Sequence, residues 1–196
     1  HRLARASATF TPEELSNNGD REDGLQIIDA ILEAYHFAVS DPHRAATHNK
    51  GVMNAISAVA LACGQDWRAI ESGCHAWACQ SNGQYSSMTK WSKDEHGNLV
   101  GSMETPMAVG IVGGASKVHP AAKANLQILG VESATELGGI IVCAGLAQNL
   151  GAMRALATNG IQAGHMSLHA RNMAVSAGAV GEEVESVAEI VKAREG

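Results

Sequence analysis

The chain has few aromatic residues and no excess of positive charge. Aromatic residues make up 4% of the 196 residues, and the formal net charge is −6 with 17% charged residues. A general binder of nucleic acid or of anionic membranes carries a basic surface, which this composition does not provide. Glycine and polar residues interrupt every apolar run before the roughly 20 residues needed to span a bilayer. The composition therefore argues against nucleic-acid and membrane partners.

Metal-binding and disulfide motifs are also missing. HExxH is absent, no Cys and His residues have finger spacing, and no CxxC pair occurs among the four cysteines, Cys63, Cys74, Cys79 and Cys143. Their neighbours are mostly small, which is typical of buried thiols in a reducing compartment. The start, His1 to Arg5, has neither a methionine nor an apolar signal stretch. We therefore expect a cytoplasmic protein without a metal, and a piece of something longer.

The residues that are present predict a helix-rich α+β fold. Hydrophobic residues make up 45% of the chain, and the 21 glycines and many alanines permit close helix packing. Residues 4–10, 85–91 and 98–105 alternate between apolar and polar, and a polar turn at 93–97 separates the last two. We expect a small antiparallel β element with a hairpin, a further strand at 107–112, and a long buried central helix. Residues 16–24 are expected to be loop.

The stretch from Arg44 to Asp66 organises the chain. A polar start leads into the small apolar run 55–62, which predicts a helix that is buried on most sides and stops at Gly64. Thr47 or Asn49 is the expected N-cap. A lysine in the first turn is disfavoured by the helix dipole, so Lys50 indicates another purpose for the ammonium.

Lys50 and Asn54 lie four residues apart and share one helical face. With Gly51 beside them, they are typical of a site for a carbonyl oxygen or an oxyanion; the alternative is a solvated lysine at a frayed helix end. Asp66 is expected to hold the charge and position of Lys50, to cap the next helix, or both. Arg44 is either a carboxylate-binding group or a surface arginine.

Two histidines and a glycine-rich turn leave alternatives open. His165 and His169 are four residues apart on a predicted helix, and two ligands are too few for a usual metal site. They are a core or interface pair, or one of them is a general acid. The turn from Gly113 to Lys117 matches no phosphate-binding motif, so a tight packing turn is expected there.

Five stretches of the chain closely resemble class II 3-hydroxy-3-methylglutaryl-coenzyme A (HMG-CoA) reductases of the bacterial type. These stretches are DPHRAATHNKGVMN (41–54), GQDWRAIE (64–71), PMAVGIVGG (106–114), GLAQNL (145–150) and GHMSLHARN (164–172). They occur in the family's order along nearly the whole chain. Class I enzymes have a different lysine loop, so the resemblance is to class II.

The resemblance implies reduction of HMG-CoA to mevalonate and coenzyme A, or the reverse, through two hydride transfers. NADH is the expected cofactor, with NADPH as the alternative. Lys50 would stabilise oxyanions, Asp66 would orient and charge it, and His165 would protonate the departing thiolate. Arg44 and Asn54 would hold the HMG portion. Family members form dimers, possibly assembled as trimers of dimers, with active sites at the subunit interface.

Two parts of the family pattern are missing from the sequence. The motif that carries the catalytic glutamate and the motif of the small cofactor-binding domain do not occur in it. We therefore expect residues 1–163 to be the C-terminal part of the large domain, 164–196 to start the C-terminal flap, and the chain alone to be inactive. The alternatives are a non-catalytic assembly fragment or paralogue, and another CoA-thioester oxidoreductase on the same scaffold.

Overall fold

The computed structural model describes residues 2–80, 83–114, 118–158 and 161–195, without the side chains of 161–168 and 193–195. Two compact units divide the chain, His1–Arg154 and Ala155–Gly196. The elements up to residue 157 are β1 (Leu3–Phe10), α1 (Pro12–Leu15), α2 (Arg21–Ser40), α3 (Pro42–Ala62), α4 (Trp67–Trp77), β2 (Thr89–Lys93), β3 (Leu99–Pro106), α5 (Pro120–Leu129) and α6 (Ala134–Ala157). They are followed by α7 (Ile161–Ser176) and α8 (Glu183–Glu195). The α+β class is thereby confirmed.

The β element is a three-stranded antiparallel sheet with the order β1-β3-β2. The predicted hairpin is confirmed as β2 and β3. The strand predicted at 107–112 is wrong. After β3, the Met107 N–H still donates to the Arg2 carbonyl at 2.7 Å. Beyond that point the side chain of Gln65 pairs with the backbone of Gly110, in place of a neighbouring strand.

Helix α3 begins earlier than predicted. Pro42 occupies its first turn and the Asp41 carboxylate accepts from the Arg44 N–H at 2.7 Å, so Asp41 is the N-cap rather than Thr47 or Asn49. Lys50 therefore lies in the third turn, where the dipole argument does not apply. Proline is favoured at the start of a helix, which is why Asp41-Pro42 ends α2 and also starts α3.

Only one face of α3 is buried. That face carries Ala45, His48, Asn49, Val52, Met53, Ile56 and Ala60. Lys50, Asn54, Ala58 and Leu61 are exposed, so the expectation of burial on most sides is wrong for this chain. Helix α2 starts at Arg21, inside the stretch 16–24 that was expected to be loop, because Asp20 caps it by accepting from the Asp23 N–H at 2.8 Å.

Helices α3 and α6 approach each other closely at Gly145. A Cβ atom at this position would lie 2.8 Å from Cγ1 of Ile56, closer than real contacts allow. Among the described residues, α6 is long and apolar enough to cross a membrane by length and composition, which corrects the expectation that no stretch reaches that length. The core helix of a soluble protein meets the same criterion.

Candidate functional site

Lys50 and Asn54 form an exposed pair one turn apart on α3. The Lys50 ammonium donates to Oδ1 of Asn54. Both side chains point away from the buried face of the helix. The structure thus brings together a cation and an amide, as the spacing predicts, and presents them outward from the fold.

Arg44 lies on another side of the same helix. Lys50 lies six positions further along. At 3.6 residues per turn, the two side chains are therefore about 120° apart around the helix axis. Its side chain is half-buried and one turn from His48. This chain therefore does not place Arg44 on the face that Lys50 shares with Asn54.

Asp66 lies at the other end of α3, in the connection to α4. Its Oδ1 accepts from the Ala69 N–H at 3.1 Å, so the predicted N-cap is confirmed. The exposed carboxylate lines a cavity of about 810 Å³ between the end of α3 and the start of α5. Trp67, Arg68, His119 and Asn125 also line it.

A single chain keeps Lys50 and Asp66 well apart. Ala62, the last residue of α3, lies twelve positions after Lys50, and at about 1.5 Å per residue this length of helix spans about 18 Å. No hydrogen bond or ion pair joins Lys50 to Asp66 among the described contacts.

The junction that carries Asp66 is closed by backbone hydrogen bonds. Gly64 adopts the left-handed conformation with φ 68°. The Gly64 N–H donates to the Leu61 carbonyl at 3.0 Å and the Gln65 N–H to the Ala60 carbonyl at 2.9 Å. This pattern is a Schellman C-cap, and it confirms Gly64 as the helix stop.

The side chain of Gln65 fixes the loop after β3 to this junction. Its Nε2 donates to the carbonyls of Gly110 and Cys63, both at 2.9 Å, and its Oε1 accepts from the Gly110 N–H at 2.9 Å. Asn125 of α5 donates to the Ala62 carbonyl at 2.8 Å. The loop and α5 are thus both tied to the end of α3 next to Asp66.

Six side chains form a polar cluster near Lys50, and the sequence singles out only Asn49 among them, as an N-cap. The polar cluster consists of His48, Asn49, Ser87, Thr89, Trp91 and Asn149. Nε2 of His48 lies 3.0 Å from Oγ1 of Thr89 and 3.1 Å from Nδ2 of Asn149. The cluster joins α3, β2 and α6. The periodicity of α3 contained a signal for it, because His48 and Asn49 fall on the buried face one turn before Val52 and Met53.

The imidazole of His48 is held neutral. Burial lowers its pKa from 6.5 to about 4, and the positive charge of Arg44 acts in the same direction. Because the pKa lies well below neutrality, His48 carries no charge at neutral pH. Of the three basic side chains Arg44, His48 and Lys50, only Arg44 and Lys50 therefore carry a positive charge at neutral pH.

The predicted acid His165 falls on α7, but its side chain lies outside the described residues. His169, one turn later, is exposed. Among the residues that the structure describes, no group of three or more His, Cys, Asp or Glu side chains could hold a metal ion. The four cysteines are all free thiols.

The chain is similar to known proteins both in sequence and in structure. The chain is 52% identical over 191 residues to the 3-hydroxy-3-methylglutaryl-coenzyme A reductase of Archaeoglobus fulgidus, covering 97% of this chain and 42% of that protein. It is also similar to the solved class II reductase of Streptococcus pneumoniae bound to NADPH in open conformations. That match has 44% identity and a TM-score of 0.77, and it covers 95% of this chain and 45% of the other. A second structure of the S. pneumoniae enzyme gives 43% identity and the same TM-score, with coverage of 97% and 45%.

The family model of hydroxymethylglutaryl-coenzyme A reductase matches residues 1–170. The chain therefore belongs to the hydroxymethylglutaryl-coenzyme A reductase family. It spans under half the length of the relatives that it matches.

Proposed function

We propose that this chain supplies part of the active site of an HMG-CoA reductase. The reaction is the reduction of HMG-CoA to mevalonate and coenzyme A, or its reverse. The observation that carries the proposal is the outward-facing Lys50, whose ammonium is held by Asn54 in a member of this family. A fixed cation is what a thioester carbonyl needs as negative charge develops on its oxygen, and such stabilisation is worth several kcal/mol.

Each site residue has one part in the proposed reaction. Lys50 stabilises the oxyanion of the hemithioacetal and of the aldehyde step, and Asp66 orients the ammonium and keeps it charged. His165 protonates the departing coenzyme A thiolate, a contribution of about 10²–10⁴-fold for a general acid. Arg44 and Asn54 hold the HMG portion. Residues 1–163 belong to the large domain and 164–196 to the start of the flap.

The proposed site forms between copies of the chain. Since about 18 Å of α3 separates Lys50 from the junction at Asp66, the two groups meet only if Asp66 comes from a second copy. The uncovered face of α3, with Asn54, Ala58 and Leu61 beside Lys50, is the surface that such a copy would contact. We therefore propose a homodimer as the basic assembly, with a trimer of dimers as the larger form.

A nicotinamide cofactor supplies the hydride in this proposal. The cavity beside Asp66, about 810 Å³, falls within the volume range of small-molecule pockets. We expect NADH as the preferred donor, and the NADPH bound to the S. pneumoniae relative makes NADPH the competing outcome. Because this chain spans under half of its relatives, we expect no turnover from it alone. A cytoplasmic location agrees with its four free thiols.

Lys50 itself provides the test. Reductive methylation with ¹³C-formaldehyde labels the lysines and retains their charge, and Lys50→Arg identifies the Lys50 signal. We expect HMG-CoA to shift the Lys50 signal and to leave those of Lys90 and Lys192 in place. An unshifted Lys50 signal at saturating HMG-CoA overturns the proposal and favours a non-catalytic assembly fragment.

Two further measurements use the same signal. If another acyl-CoA shifts it as strongly as HMG-CoA, the chain belongs to a different CoA-thioester oxidoreductase. If Asp66 of a second copy reaches Lys50, dilution below the dimer dissociation constant shifts the signal in the unmodified sequence and not in Asp66→Asn. A signal that does not depend on concentration in either protein contradicts the shared site.

A further inference from the structure

The two residues that precede Lys50 in α3 point into the fold, whereas Lys50 points out of it. His48 is 4% exposed and Asn49 is fully buried, whereas Lys50 is exposed. Both buried residues are polar, and burial of polar groups is tolerated only when their hydrogen bonds are made. The partners of His48 and Asn49 therefore fix how this turn of α3 is rotated in the fold.

Three side chains surround Nε2 of His48. Oγ of Ser87 lies 2.9 Å from it, Oγ1 of Thr89 3.0 Å and Nδ2 of Asn149 3.1 Å. The indole N–H of Trp91 can only donate, and it lies 2.9 Å from Oδ1 of Asn149, so this atom is the amide oxygen and accepts. The Thr89 hydroxyl donates to the same oxygen at 2.9 Å. The ring of His48 is therefore held on α6 through Asn149 and on β2 through Thr89.

Asn49 holds the same turn from a second direction. Its Nδ2 donates to the Ser86 carbonyl at 2.9 Å and its Oδ1 accepts from the Met88 N–H at 2.9 Å. One amide thereby pairs with both backbone groups of the segment that leads into β2. His48 is fixed through Asn149 on α6 and Thr89 on β2. Two consecutive residues of α3 are therefore anchored to two different elements.

We infer that His48 is a positioning residue for Lys50: its buried imidazole, held by Ser87, Thr89 and Asn149, sets the rotation of α3 that directs the Lys50 ammonium outward. The inference rests on the proposed function for the purpose of that ammonium. It does not require His48 to touch any ligand.

The first experiment asks whether the His48 ring is fixed in the unmodified chain. ¹⁵N NMR of the histidine rings at pH 7 distinguishes a protonated from an unprotonated ring nitrogen. We expect the His48 signals to be those of a neutral ring in a single tautomer, because the buried ring keeps the same three partners. A His48 ring that averages between its two tautomers overturns the inference without any substitution being made.

The second experiment asks whether His48 sets the position of Lys50. In ¹³C-methylated protein, His48→Ala should shift the Lys50 signal and lower the affinity for HMG-CoA about tenfold, which corresponds to loss of one hydrogen-bonded constraint. His48→Gln keeps an acceptor in the chain and should restore most of both, and His36→Ala should change neither. Thr89→Val, which removes one hydroxyl of the polar cluster, should shift the Lys50 signal in the same direction if His48→Ala fails to fold.

The outcomes separate the inference from the proposed function. If His48 has a purely structural role, His48→Ala or Thr89→Val lowers the melting temperature and leaves the Lys50 signal in place. That result overturns the inference. A Lys50 signal that moves in these variants but never responds to HMG-CoA supports the positioning role and contradicts the proposed function. A Lys50 signal that responds to HMG-CoA with the same affinity in His48→Ala as in the unmodified sequence supports the proposed function and contradicts the positioning role.

Discussion

The two ends of α3 carry the predicted site residues and are held in different ways. The end with Lys50 is anchored by side chains of the polar cluster, which are almost fully buried except for the half-buried Ser87. The end with Asp66 is closed by backbone hydrogen bonds and by the amides of Gln65 and Asn125 near the surface. One end depends on buried side-chain chemistry, and the other on backbone geometry and partly exposed amides.

This difference predicts how well each end of α3 tolerates substitutions. An unpaired polar group costs far more inside the fold than at its surface, where water replaces the lost partner. The Lys50 end should therefore be rigid and sensitive to substitution. The Asp66 end should absorb changes more easily, as suits a junction beside an open cavity. The following predictions test this contrast, from the largest expected effect to the smallest.

Asn149→Ala should cause the largest loss of stability. It removes the acceptor of the Trp91 indole N–H and of the Thr89 hydroxyl, and it opens a space in the core. We expect the free energy of unfolding in urea to fall by about 3 kcal/mol. The matched change Asn125→Ala, at the other end of α3, should cost about 1 kcal/mol. Equal losses at the two ends would contradict the comparison.

Acid should destabilise the Lys50 end through His48. Its pKa is about 4 in the folded chain and near 6.5 when unfolded. Because the unfolded state takes up the proton first, this contribution is complete above pH 6.5 and is lost as the pH falls towards 4. The loss amounts to about 3 kcal/mol. Unfolding measured against pH should show this loss in the unmodified chain and in His36→Gln, and it should be absent from His48→Gln.

Gln65→Glu should have a moderate effect at the Asp66 end. The carboxylate still accepts from the Gly110 N–H, but it no longer donates to the carbonyls of Gly110 and Cys63. We expect a loss of about 1–2 kcal/mol and faster hydrogen exchange at Gly110. Gln127→Glu adds the same charge at an exposed position of α5 and serves as the control. Unchanged exchange at Gly110 would show that Gln65 does not hold the loop.

Asp66→Asn should have the smallest effect on stability. Asparagine caps a helix about as well as aspartate, so the free energy of unfolding should change by no more than about 0.5 kcal/mol. Asp66→Ala removes the acceptor of the Ala69 N–H and should cost about 1 kcal/mol. If both substitutions cost the same, the negative charge rather than the cap stabilises this junction.

Local signals in the sequence predicted much of the fold. The alternation of residues 4–10 is found in β1, the hairpin around the polar turn 93–97 is found as β2 and β3, and the helix stop at Gly64 is found at the end of α3. Each depends on residues within a few positions of one another. The start of α3 was misplaced because a proline that ends one helix also suits the first turn of the next.

The remaining features depend on contacts between distant residues. Gln65 pairs with Gly110 across 45 positions, and His48 meets Asn149 across 101. No local pattern encodes such pairs in a single sequence. The sequence supplied Lys50 and Asp66 as candidates, but it did not contain their distance from each other, which follows from the length of α3.

The placement of the tryptophans gives the chain two optical reporters. Trp67, 38% exposed, adjoins Asp66, whereas Trp91 is 3% exposed and its indole N–H is bonded to Asn149. Iodide in solution should quench the emission of Trp67 and hardly reach that of Trp91. With Trp77 replaced by phenylalanine, fluorescence would follow each end of α3 separately. Ligand entry at one end and loosening at the other could then be timed in a single stopped-flow trace without an attached dye.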